Sequence, residues 1–230
     1  MGLPAATALV LVLLALVNLC NNRWLPRAYV VTSVVGSAGL LALARGAGLG
    51  WEDLGLGPGW VPRGLLWGGP PALALLVGLR VAVGRPGVSG RLRDDRVARS
   101  RGSVLYQVLV WVPLGTVLLE EVAFRGVLLG LLEPQVGTLW AVMLSALAFG
   151  LWHVLPTAAA ARADTVVARA LGGRGPGWAV VGGVLLTAAV GTGLAGLRLV
   201  AASLLAPALL HLASNSGGYL AAAAVRRPER

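Results

Sequence analysis

The sequence predicts an all-α protein, a polytopic transmembrane helical bundle of about seven spans with a polar site in the bundle core. Three observations predict it. Hydrophobic residues make up 57% of the 230-residue chain and charged residues 12%, with a mean hydropathy of +0.80, a composition far from that of a soluble domain. The apolar residues gather into runs of the length that crosses about 30 Å of hydrocarbon, which takes about 20 residues. The charges, all 19 basic ones being Arg, fall mostly between those runs.

The runs are read in order as spans at about 3–20, 28–44, 64–84, 103–132, 137–156, 178–197 and 199–225. The first opens with "MGLPAATALV", which lacks a basic leading region, and "VNLC" places Leu rather than a small residue before Cys20, so it reads as a retained span. Cys20 is the lone cysteine and excludes an intramolecular disulfide. In the third run Arg80 lies near one end, where its long side chain snorkels to the interface. The fourth run is long enough to tilt or to break near Gly130, and Arg198 leaves only a tight turn between the sixth and seventh.

The hydrophilic stretch "GRPGVSGRLRDDRVARSRG" is cytoplasmic by the positive-inside rule. With seven alternating spans the same side receives Arg23, Arg27, Arg162, Arg169, Arg174, Arg226, Arg227 and Arg230, while the opposite side receives Arg45, Arg63 and Arg198. The N-terminus is then outside and the C-terminus inside. Trp24, Trp51, Trp60, Trp67 and Trp178 cluster at segment ends as an interfacial belt. The net charge of +10 follows from this topology rather than from a basic face for nucleic acid, so no nucleic-acid partner is expected.

Inside the spans a few residues oppose their surroundings. "LLEEVAFRG" places Glu120, Glu121 and Arg125 in mid-segment, where each charge costs about 2.5 to 3.5 kcal/mol unless it pairs or meets water. Glu121 and Arg125, four apart, share a helix face and can bridge, while Glu120 is rotated by about 100° and is free to face a cavity. The two histidines of the chain, His153 in "FGLWH" and His211 in "HLASN", also lie in apolar segments, with Phe149 and Asn215 four residues away on the same faces. Pro207 is expected to kink its helix beside His211.

Glu120, Glu121, Arg125, His153, His211 and Asn215 thus come from three segments and imply one water-reached cavity. Such a set holds a carboxylate base, imidazoles for proton transfer or metal ligation, and an amide donor for an oxyanion. No HExxH or Cys-rich pattern is present, so a zinc site would have to be assembled across helices. Serine chemistry lacks a GxSxG, and Ser145, Ser203 and Ser214 read as helix-packing residues. Aspartyl intramembrane chemistry is excluded because Asp53, Asp94, Asp95 and Asp164 all fall in loops. Rival readings of the same charges are a proton-coupled transporter and a non-catalytic membrane scaffold.

"EEVAFR", "FGLWH" and "HLASN", in this order on successive segments, resemble the EExxxR, FxxxH and HxxxN motifs of the CPBP family, the CAAX-protease and bacteriocin-processing (Abi) group. The resemblance covers roughly 103–222 and implies an intramembrane endopeptidase in a bacterial plasma membrane, acting on peptide or membrane-protein substrates. It divides the chain into N-terminal helices with the basic loop (1–102), a catalytic helical core (103–225) and a short basic tail (226–230). By resemblance, Glu120 activates water with help from His153, Glu121 and Arg125 shape and charge the site, and His211 and Asn215 stabilise the oxyanion. The family has been described both as metal-dependent and as metal-free. The cofactor expectation is accordingly zinc, with His153 and His211 as ligands, or none.

Overall fold

The computed structural model describes residues 1–89, 100–162 and 176–225. Seven long helices form the bundle: α1 Leu3–Trp24, α2 Pro26–Gly46, α3 Trp60–Val83, α4 Arg101–Val136, α5 Thr138–Ala161, α6 Gly177–Ala201 and α7 Leu205–Ala224. Among the described residues there is no strand. The first six are long and apolar enough to cross a membrane. Helix α7 is 20 residues long, which at 1.5 Å per residue also spans about 30 Å, but it carries Ser214, Asn215, Ser216 and His211 and is correspondingly less apolar. Arg91, Arg93, Arg96, Arg99, Asp94 and Asp95 of the hydrophilic loop, Asp164, Arg169 and Arg174, and Arg226, Arg227 and Arg230 lie outside the described residues.

Helix pairs approach closely where side chains are small, as packing in lipid requires. A Cβ at Gly68 of α3 would lie 2.7 Å from Ala206 Cα of α7, so only glycine lets these two helices meet there. The main core draws on both halves of the chain. Ala6, Val10, Leu14 and Val17 of α1 and Leu40 and Ala44 of α2 pack with Leu119, Val122, Phe124, Val127 and Leu131 of α4, and with Phe149 and Trp152 of α5.

Three features depart from the expected helix geometry. Helix α4 is continuous through Gly130 but winds with i→i+5 hydrogen bonds over Gln107–Val117 and again over Glu121–Leu128, π-turns of the kind that recur at functional sites. Helix α5 is interrupted at His153, which separates Thr138–Trp152 from Val154–Arg162. Helix α7 starts at Leu205 rather than near 199, so Pro207 falls in its first turn. There a proline removes an N–H that has no intrahelical partner anyway, and no kink results from it.

Arg198 is corrected likewise. It sits in the last turn of α6 rather than in a turn, is buried, and donates to the carbonyl oxygens of Glu52 and of Asp53, at 3.3 Å for Glu52. These contacts seat the α2–α3 connection in the bundle, with Leu49 and Leu54 buried. Asp53 O lies 2.9 Å from where a Cβ on Gly130 would be, and Leu204 N–H donates to Gly55 O at 2.8 Å. The α2–α3 loop, the α6–α7 turn and the end of α4 therefore meet at one end of the bundle, as alternating spans demand.

Candidate active site

Helices α4, α5 and α7 bring all six candidate residues together. On α4, Glu120, Glu121 and Arg125 are almost wholly buried, at 3%, 2% and 1% exposure. Arg125 donates through Nη1 to Glu121 Oε1 at 3.2 Å, the bridge expected from their spacing, and its guanidinium lies 4.0 Å over the Phe149 ring. The π-turn starts at Glu121, so the held carboxylate and the neighbouring Glu120 leave the helix in different directions. Among the described residues, each carboxylate keeps its Oε2, and Arg125 its Nη2, without a hydrogen-bond partner.

From α7, His211 reaches between the carboxylates. Its Nδ1–H donates to Glu121 Oε1 at 2.7 Å, because a carboxylate can only accept. In the neutral ring Nε2 then carries the lone pair, and it accepts from Asn215 Nδ2 at 3.2 Å, one helical turn on. The same Nε2 stands 3.6 Å from Glu120 Oε2. Glu121 is therefore a strut, bonded to Arg125 on its own helix and to His211 on another, while Glu120 is hydrogen-bonded to neither.

On α5 the interruption at His153 is what forms the site. The backbone N–H of His153 donates to Gly150 O at 3.0 Å instead of one residue further back, so Phe149 O is left for the side chain. His153 Nδ1–H takes it at 2.8 Å, which fixes the ring with its Nε2 lone pair turned outward, 4.0 Å from Glu120 Oε1. Phe149 steers this ring from the side, its centroid 4.6 Å from that of His153 and 6.3 Å from that of His211. His153, with its side chain 22% exposed, and the half-buried Asn215 are the open edge of a buried cluster.

Sequence reasoning missed Trp152. Its indole Nε1–H donates to Glu120 Oε1 at 3.0 Å, and its ring packs edge-on against Phe124. The available signal was chemical: a Trp within an apolar span, beside His153, has one N–H that needs an acceptor once buried. The serines behave as packing residues. Ser145 donates to Phe124 O, Ser203 to Trp60 O and Ser214 to His211 O.

A metal would need three or more donor side chains converging on one point. Among the described residues no group of His, Cys, Asp and Glu is so arranged, and His211 has Nδ1 turned to Glu121 and Nε2 to Asn215. The residues present do not fit a zinc site, and no step below is routed through one.

A bundle of long apolar helices whose core holds carboxylates, imidazoles and an amide defines an integral, multi-pass membrane protein. A family model described as type II CAAX prenyl endopeptidase Rce1-like matches residues 102–217, just over half of the chain. The chain belongs to this family, within the CPBP group, and is a CAAX protease-type intramembrane endopeptidase. Searches of curated proteins and of solved structures found no match.

Proposed function

We propose that the protein hydrolyses peptide bonds with a water molecule activated by Glu120 and His153. The observation that carries this reading is the pair of facing acceptors, Glu120 Oε1 and His153 Nε2, 4.0 Å apart. Neither can donate to the other while His153 is neutral, but one water can donate an O–H to each, leaving its own lone pair free for attack. Water oxygen bonds to the peptide carbonyl carbon as Glu120 takes a water proton, and the carbonyl becomes an oxyanion. Asn215 has two amide hydrogens. One is held on His211 Nε2, and the other serves the oxyanion. Collapse breaks the C–N bond as the proton returned by Glu120 passes to the leaving amine.

In this mechanism His211 acts by aligning Asn215 and Glu121, and the Glu121–Arg125 pair holds His211. Substrate enters from the end opposite the α2–α3 loop, since His153, the open edge of the cluster, lies in the half of α5 away from that loop. The positive-inside pattern makes that end cytoplasmic, in a bacterial plasma membrane, and the substrate is a peptide or membrane-protein segment that reaches the site from there.

The test is cleavage of a quenched-fluorescent peptide library, including peptides with and without a C-terminal prenyl-cysteine, by wild type and Glu120→Ala in detergent, with and without a zinc chelator. Cleavage by wild type alone, indifferent to chelator, is the expected result. Equal cleavage by Glu120→Ala overturns the assignment of the base, and loss with chelator that zinc restores overturns the metal-free mechanism.

A further inference from the structure

Glu120 would be a poor base if its carboxylate were free to rotate, and on its own helix nothing holds it. Arg125 and His211 both bond to Glu121 instead, and Glu120 Oε2 has no hydrogen-bond partner. Among the described residues, the one direct hydrogen bond to Glu120 comes from a different helix, from Trp152 Nε1 at 3.0 Å. We propose that Trp152 is a positioning residue for the hydrolytic reaction, aiming Glu120 Oε1 at the water it shares with His153. The inference rests on the hydrolytic reading above and adds to it a residue that the EExxxR, FxxxH and HxxxN motifs do not contain.

The chain fixes Trp152 at both ends. Pro156 lacks the N–H that would donate to the carbonyl four residues earlier, so Trp152 O is free of its helical bond. Asn18 of α1 supplies the replacement, its Nδ2 donating to Trp152 O at 3.0 Å, and Asn22 in turn donates to Asn18 Oδ1 at 2.6 Å. At the other end the indole is 7% exposed and lies against Phe124, with centroids 5.8 Å apart at 70°. A side chain anchored by its backbone to α1 and by its ring to α4 has little freedom to follow Glu120, so Glu120 must follow it. Since an indole N–H can only donate, it fixes which oxygen of the Glu120 carboxylate faces His153.

Two readouts separate this role from a packing role. The first needs no activity: the indole N–H resonance of Trp152, assigned by its loss in Trp152→Phe, moves upfield in Glu120→Gln as the charge-assisted bond weakens. A resonance that stays in place overturns the inference whether or not the protein cleaves anything. The second replaces Trp152 by its sulfur isostere, benzothienylalanine, which keeps ring size and removes only the donor. The expected result is a kcat about ten- to a hundredfold lower with KM unchanged, the range for losing one hydrogen bond to a charged group, measured where the melting curve shows the isostere still folded. Wild-type kcat in the folded isostere overturns the inference, and so does a loss confined to KM. A wild type that cleaves no peptide refutes the hydrolytic reading, and the positioning role with it, even if the resonance moves and verifies the contact.

Discussion

Glu121 and Asn215 lie on either side of His211 yet carry different burdens, and substitution should separate them. Removing Glu121 leaves the Arg125 guanidinium buried and unpaired, a change that costs about 3–5 kcal/mol. Glu121→Ala is therefore expected to lower the thermal midpoint in detergent by several degrees and to abolish activity as a consequence. Asn215 is only half-buried, and in the proposed mechanism Asn215→Ala removes an oxyanion donor together with one neutral hydrogen bond to His211. Its expected effect is a kcat lower by about 10²–10³ with the midpoint unchanged, as measured by single-turnover cleavage and by a melt of the same sample. The six candidate residues that the structure brings together were legible in the sequence because a charge, an imidazole or an amide in an oily run is costly enough to demand a reason. Trp152 was not, because an indole among Leu and Phe looks like core, and only its unmet N–H sets it apart.

At the scale of elements, the spans were legible to within a few residues, since length and apolarity are imposed by the bilayer itself. Their irregularities were not. The π-turn over Glu121–Leu128, the break at His153 and the start of α7 at Leu205 are set by which carbonyl a given N–H finds, and hydropathy carries no record of that. Arg198 was misplaced for a related reason. Its charge implied a turn in water, whereas two backbone carbonyls of the α2–α3 connection satisfy it inside the bundle. Arg198→Ala would leave those carbonyls without their donors, at about 1–3 kcal/mol for each unsatisfied group. The expected outcome is a lower thermal midpoint together with faster labelling of a cysteine introduced at Trp51, read by a maleimide time course. Unchanged labelling would mean that Leu49, Leu54 and the Leu204 N–H bond to Gly55 O hold the loop in place without Arg198.

Taken as a whole, the molecule inverts the distribution of a soluble protein. Leu66 and Leu139 are 68% and 72% exposed, while Arg125 is 1% exposed, because the bilayer solvates the leucines and the bundle core solvates the charge. One end of the bundle is filled in part by the α2–α3 connection, beside an open pocket lined by Leu49, Asp53, Gly130 and Glu133. Leu49 and Leu54 are buried there, Arg198 is bonded to the loop carbonyls, and Leu204 N–H is bonded to Gly55 O. Orientation in the membrane then decides which compartment the active site serves. The arginine asymmetry puts the filled end outside, a prediction that two single-cysteine proteins test after Cys20→Ser removes the native thiol. A cysteine at Trp51 on the filled end should react with a membrane-impermeant maleimide in intact cells, and one at Arg85 on the opposite end only after the cells are opened. The reverse pattern would place the open edge at His153 and Asn215 on the outside, and the substrates would then have to be sought beyond the membrane rather than in the cytoplasm.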